Sequence, residues 1–235
     1  MAKNQGKGRK KWFWKAVLYL VAAALLVVSC YAAFGRALML RWGATDAEVA
    51  MALPGDQYVP EGAANYYTYI HAVTIDAPPD YAWPYIVQMG YQRAGWYNLD
   101  FINNAAANGK YFYENNRSAD RVIPELQSLK VGDKIWLVPN VIGMEVKELV
   151  PNQTLLLYGG TEEKADVTWL YSLQPVGDNK TRLIVRWRET QKDDFTTKLM
   201  NTLITEPGGC GVQQTLNLNG IKSRAERDYS KVVGK

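Results

Sequence analysis

Histidine and cysteine are nearly missing from this chain: His71 is the sole histidine, and Cys30 and Cys210 are the only cysteines. Two thiols, one inside an apolar run, make no disulfide framework, and no Cys, His or acidic spacing suits a metal. A Ser-His-Asp or Cys-His site would have to recruit His71, and nothing in the local sequence supports that. The sequence therefore implies no cofactor and designates no catalytic residue. Acidic residues are also missing from the first 45 positions. That stretch holds eight of the 27 basic residues (Lys3, Lys7, Arg9, Lys10, Lys11, Lys15, Arg36, Arg41), so the other 19 face all 23 acidic ones and the remainder carries −4. The formal +4 of the whole chain belongs to its N-terminal tail. A mildly acidic body argues against nucleic-acid binding, which needs clustered positive charge to displace counterions.

What is present begins with an apolar run. Residues 16–35, AVLYLVAAALLVVSCYAAFG, contain no charge, and about 20 such residues cross a hydrocarbon core as a helix. Trp12 and Trp14 precede the run and Tyr31 and Trp42 follow it, as interfacial anchors do. The basic tail sets the orientation by the positive-inside rule. The expected organisation is a cytoplasmic tail over residues 1–15, a transmembrane helix over 16–40, a linker over 41–68 and a domain outside the cytoplasm over 69–230. The breakers Pro54, Gly55, Pro60 and Gly62 make the 41–68 stretch a wrapped linker, able to pack along the body. Two alternatives remain for the N-terminus: a cleaved signal at the small residues of YAAF, or a lipoprotein with Cys30 as the lipidated residue. The apolar character continuing past Cys30 favours the anchor.

The body opens on HAVTIDAPPDYAWPYIVQMG, residues 71–90. His71, Val73 and Ile75 alternate with Ala72, Thr74 and Asp76, the period of a half-buried strand. Pro78 and Pro79 then end the ladder and suit a helix start. Trp83, Ile86 and Val87 share a helical face, which predicts that Trp83 points at the core, with Pro84 tightening the first turn. Residues 91–104 read as a second short helix with Trp96, Leu99 and Ile102 on one face. Residues 103–120 read as a loop whose Tyr111, Phe112 and Tyr113 suit a lid. Five strands follow, over 134–138, 143–149, 154–158, 166–173 and 182–189, joined by turns such as Pro139-Asn140 and Gly177-Asp178-Asn179. In the last strand Leu183, Val185 and Trp187 alternate with Arg182, Arg186 and Arg188, read as a solvated face able to meet anionic lipid. The C-terminal helix carries Phe195, Leu199 and Leu203, is interrupted by EPGGCG, and resumes with Val212, Leu216 and Ile221.

The strand, Asp-Ala-Pro-Pro turn and Trp-bearing helix, together with RWGATDAEV at 41–49, SADRVIPELQSLKVGDKIWL at 118–137 and GIKSRAER at 220–227, resemble the START-related helix-grip superfamily (SRPBCC). That superfamily includes lipid-transfer domains, plant pathogenesis-related allergens and aromatic polyketide cyclases, and the likeness is to a bacterial membrane-anchored, cyclase/dehydrase-like branch. The resemblance covers residues 41–230 and implies an α+β helix-grip fold, a curved antiparallel sheet around a long C-terminal helix, with an apolar pocket between the two. The residues expected near the pocket are Trp96, Tyr97, Trp136, Met144, Tyr158, Trp169 and Trp187, against the alternative that these rings fill a solid core. Asp120 and Arg121 form the most distinctive polar pair. A structural role is favoured for them, beside a reading in which Arg121 grips an anionic head group at the pocket mouth. Asp100 and His71 are the remaining candidates for acid–base work. The leading expectation is a membrane-tethered module that binds a hydrophobic or lipid-like molecule without chemistry. A cyclase/dehydrase-type enzyme and an envelope interaction protein with a filled core are the alternatives.

Overall fold

A computed structural model describes residues 5–106, 115–138, 142–160 and 165–234. The chain divides into two compact units, Met1–Met39 and Leu40–Lys235. In the first, helix α1 (Gln5–Cys30) passes through a wider, i→i+5 winding at Tyr31–Gly35 and on into α2 (Arg36–Leu40). Lys11–Leu40 is the one helix among the described residues long and apolar enough to cross a membrane. Its Leu18, Leu26 and Phe34 are exposed rather than packed in a core.

In the second unit the first strand, β1 (Tyr66–Ile75), starts upstream of His71 and leads into the double proline. Pro78 stands extended before α4 (Pro79–Val87), reached after the short α3 (Asp46–Ala50). The buried face of α4 is Ala82, Tyr85, Ile86 and Val87. Trp83, expected to point at the core, is only half-buried at its margin, because a face set by positions 82, 85 and 86 turns residue 83 about 100° aside. The helix expected over 91–104 is also shorter than read, confined to α5 (Asp100–Ala106). Gln92 (φ 55°) and Tyr97 (φ 55°) take left-handed conformations that a right-handed helix cannot contain.

The five later strands form as expected, each slightly longer than or equal to its predicted span: β2 (Lys134–Val138), β3 (Ile142–Val150), β4 (Thr154–Gly160), β5 (Ala165–Pro175) and β6 (Thr181–Thr190). They make one antiparallel sheet in the order β1-β6-β5-β4-β3-β2. The Tyr111, Phe112 and Tyr113 lid and the Pro139-Asn140 turn lie outside the described residues. The chain finishes in α6 (Phe195–Met200), a wide i→i+5 winding over Asn201–Gln213 that takes in Pro207, and α7 (Gln214–Val233), ended by Gly234 in the left-handed conformation. This is a helix-grip arrangement, α+β, with α7 across the inner face of the sheet.

The register of the final helix departs from the sequence reading. Its buried residues are Gln214, Asn217, Leu218, Ile221 and Ala225, whereas Val212 is exposed and Leu216 half-buried. Phe195, Leu199 and Leu203, which share the expected stripe, are exposed too. Winding with more residues per turn rotates the apolar stripe away from the 3.6-residue extrapolation. Gly220 explains how close α7 lies, since a Cβ there would stand 2.3 Å from the Tyr97 carbonyl oxygen. Arg224 and Arg227 hold the same helix to the 118–121 segment. Arg227 Nη1 donates to Asp120 Oδ1 at 2.6 Å and Arg224 Nε to the Ala119 carbonyl at 2.9 Å.

Both faces of the sheet are covered. Ile75, Tyr85, Leu183, Val185 and Ile221 belong to the inner core, while Ile70, Ala72, Leu156, Leu170 and Ile184 form a second cluster on the outer face with Leu53. Residues 43–59, expected as a linker, lie over that outer face. Gly43 (φ 69°) lets the chain cross the β1 edge, where an added Cβ would meet the Ala72 carbonyl at 2.2 Å and Ala72 N donates to the Trp42 carbonyl. A Thr45/Glu48 capping box then starts α3. The three arginines of β6 are therefore not a solvated face. Arg186, 3% exposed, pairs with Asp56 at 2.7 Å and donates to the carbonyls of Met51, Glu48 and Val49. Arg182 pairs with Glu48 at 2.6 Å, and Arg188 lies 3.0 Å from Asp56. The overlying acids and open backbone carbonyls offer Arg182 and Arg186 the acceptors that their burial requires.

Candidate functional site

Where β1, β5 and β6 run under the wide winding ahead of α7, the inner face opens into a cavity of about 320 Å³. Its walls are mainly rings: Tyr67 and Tyr69 from β1, Trp169 from β5, Trp187 from β6, and Trp96 from the turn before α5. Alternation aims these strand residues inward, because positions 67 and 69, and 187 and 189, share one face. Trp96 and Trp169 stack with centroids 5.4 Å apart, Trp169 meets Trp187 edge-on at 5.6 Å, and Tyr69 lies parallel to Trp187 at 6.1 Å. Glycines around Cys210 keep the helical roof thin, with Gly209 itself in the lining.

The polar tips of these rings are tied down by two buried amides from α7. Gln214 Oε1 accepts from Tyr69 Oη at 3.3 Å and from Trp169 Nε1 at 3.1 Å. Gln214 Nε2 donates to Asn217 Oδ1 at 3.0 Å, which also accepts from Tyr171 Oη at 3.0 Å, while Asn217 Nδ2 donates to the Trp96 carbonyl at 2.7 Å. A buried indole or phenol needs such a partner, so the polar residues on the helix are what allow so many Trp and Tyr side chains inside. Tyr67 Oη donates to Cys210 Sγ at 3.2 Å. Burial, and after it the carboxylates of Glu189 and Glu206, push the Cys210 thiol up to about 12 despite that hydrogen bond. It remains a thiol and is a poor nucleophile near neutrality. Burial likewise drives the phenols of Tyr67 and Tyr69 well above their ordinary range.

Of the residues singled out from the sequence, Trp96, Trp169 and Trp187 are brought together in the lining. The others lie elsewhere. Tyr97 is buried beside the cavity, where its hydroxyl accepts from Gln88 Nε2 at 2.8 Å and the Arg224 guanidinium sits 4.6 Å over its ring. Asp100 stands at the start of α5 and accepts from the Ser118 backbone N–H at 2.9 Å and hydroxyl at 2.5 Å. Arg121 is exposed, with its carbonyl accepting from Gln88. Trp136 is half-buried beside Gly143, since Ile135 and Leu137 take the inward positions of β2. Met144 is fully buried in the inner core. Tyr158 packs with Val59 and against Tyr58, part of the segment that crosses the outer face. His71 is buried on β1 with its ring 5.2 Å from that of Tyr69, and is not among the lining residues.

Sequence reasoning missed Tyr67, Tyr69, Glu189, Gln214 and Asn217. The alternation that carried His71, Val73 and Ile75 extends upstream through Tyr69 and Tyr67, and downstream from Trp187 to Glu189, so that signal was present. Gln214 and Asn217 have the i, i+3 spacing of one helical face, but amides carry no hydrophobic signal.

No protein family and no curated protein matches the chain. Among solved structures it is similar to CalC, a self-sacrificing resistance protein from Micromonospora echinospora, at 15% identity over 70% of this chain and 97% of that one, with a TM-score of 0.41. It is also similar to the Aha1 dimer from Colwellia psychrerythraea, at 16% identity over 68% of this chain and 96% of that one, with a TM-score of 0.37. These likenesses are distant, and no function follows from them.

Proposed function

We propose that this chain is a membrane-anchored member of the START-related helix-grip superfamily whose domain binds a hydrophobic or amphipathic small molecule between the sheet and the C-terminal helix. The observation that carries the reading is the ring-walled cavity of about 320 Å³, an apolar concavity with a few polar groups of the kind that small ligands occupy. The apolar Lys11–Leu40 helix, preceded by a tail without acidic residues, supports single-pass anchoring with the N-terminus in the cytoplasm and the domain outside. Trp96, Trp169 and Trp187 are the ligand-contacting residues in this reading, joined by Tyr67 and Tyr69.

Native mass spectrometry of the full-length protein, released from detergent in the gas phase, tests it when followed by organic extraction of whatever is retained. The expected result is a bound molecule of defined mass at about one per chain, displaced in a Leu137→Trp variant that fills the cavity from β2. Extra bulk in a packed site costs about 1–3 kcal/mol, so a thermal melt of the variant accompanies the measurement. A chain that carries no molecule and binds no apolar fluorescent probe would sink the reading.

A further inference from the structure

The cavity has an electrostatic bias as well as an apolar wall. Glu189 lies in its lining, and no lysine or arginine lines it among the described residues. The Glu189 oxygens accept from Trp187 Nε1 at 2.8 Å and from Gln191 Nε2 at 2.7 Å, both neutral donors. Among the described residues Glu189 belongs to no ion pair, whereas the acids Glu48 and Asp56 of the opposite face are each held by arginine. The ring donors of the wall are committed elsewhere. Tyr67 Oη gives its proton to Cys210, Tyr69 Oη and Trp169 Nε1 to Gln214, and Trp187 Nε1 to Glu189 itself. What Glu189 and the rings beside it offer a ligand is aromatic surface and acceptor oxygen. An anionic group would meet a carboxylate and few free donors, whereas a cation would meet a counter-charge and ring quadrupoles.

Resting on the binding reading above, we infer that the ligand is an amphiphile whose buried end is cationic, an amine or a quaternary ammonium, set against Glu189 and the rings of Tyr67, Tyr69 and Trp187. The apolar remainder of the molecule fills the space between Trp96, Trp169 and the helical roof. Glu189 acts here as a specificity-determining residue, and no chemical step is asked of it.

Two probes of one shape separate charge from bulk: 4-(trimethylammonio)benzyl alcohol and its carbon isostere 4-tert-butylbenzyl alcohol, with 4-(hydroxymethyl)benzenesulfonate as the anion. Binding to the full-length protein is read by tryptophan fluorescence, which Trp96, Trp169 and Trp187 report. The cation is expected to bind about tenfold tighter than its neutral isostere, and the sulfonate weakest. Glu189→Gln is expected to abolish the preference for the cation over its isostere, with a thermal melt showing that the variant is folded. Equal binding of cation and isostere by the wild type overturns the cationic assignment and leaves hydrophobic binding standing. A preference that survives Glu189→Gln overturns the role of Glu189. Failure of both probes to bind the wild type removes the binding reading, and this inference with it.

Discussion

On β6 the two faces of the sheet separate one residue at a time. Leu183, Val185, Trp187 and Glu189 turn toward the helices, where rings surround a cavity and Glu189 keeps company with neutral donors. Arg182, Arg186 and Arg188 turn the other way, where Glu48, Asp56 and backbone carbonyls of the 43–59 segment hold them. The outer face uses its polar groups to fix a strap of chain and pairs its arginines with acids. The inner face keeps space and an acid that, among the described residues, no arginine pairs with. A closed ion-pair network serves the fold, and the open ring-lined space is what the proposed ligand would occupy.

The largest effect expected of a single change falls on the closed face. Arg186→Ala leaves three carbonyls without their donor and takes from Asp56 the better buried of its two arginines, and chemical denaturation should show a loss of about 4 kcal/mol. A loss under about 1 kcal/mol would mean that the strap contributes little and that the contrast between the faces is false. On the other side Gly220→Ala pushes α7 from the Tyr97 carbonyl, and a melt should register about 2 kcal/mol of overpacking. If the variant is as stable as the wild type, α7 has room to shift and the cavity is not rigidly roofed.

Acid should loosen the closed network in a defined window. The hydrogen bond from Arg182, opposed by burial and helped by the Thr45 backbone, holds Glu48 at about 2 against an ordinary 4.5. Its folded-state value is depressed, so the stability it supplies is complete above about pH 4.5 and is lost as pH falls toward 2. Asp228 behaves alike. Burial pushes it up, but hydrogen bonds from Arg227, Tyr85 and Lys231 outweigh this and bring it to about 2 from 3.8. Glu48→Gln should therefore lower stability at pH 7 by about 2 kcal/mol and flatten the decline between pH 4.5 and 2, as followed by denaturant titrations across that range. An unchanged slope would show that Arg182 does not sense Glu48. The smallest effect is expected at Arg121, exposed and away from the lining. Arg121→Ala should change stability by less than about 0.5 kcal/mol and leave probe affinity unaltered. A large loss of affinity for an anionic probe would return Arg121 to the pocket mouth.

Much of this architecture is legible in local pattern. The strand–Pro–Pro–helix opening, the five later strands and the apolar N-terminal helix each follow from periodicity or from proline chemistry, which act within a few residues. Trp169 and Trp187 meet in the cavity because they alternate on strands whose inward face can be read, and Trp96 joins them from the turn before α5. Tyr158 shows the limit. Aromatic character suggested the pocket, but its parity on β4 sends it outward to Val59, and parity gains meaning only when one face is known to hold the helices. The arginines of β6 show another limit, because their acceptors lie about 130 residues upstream in a stretch whose prolines and glycines read as a wrapped linker but name no partner for it.

By itself, then, the amino-acid order determined the elements: an uncharged run long enough for a bilayer, six alternating segments and a helical C-terminus. Those properties depend on hydrogen-bonding geometry and side-chain period, which are local. Only the tertiary structure decided which face of the sheet is sealed, how the wide winding before α7 rotates the apolar stripe, and that Glu189 stands in a ring-lined space while Asp56 is clamped. These depend on which distant groups satisfy a buried charge or amide, and no sequence window contains both partners.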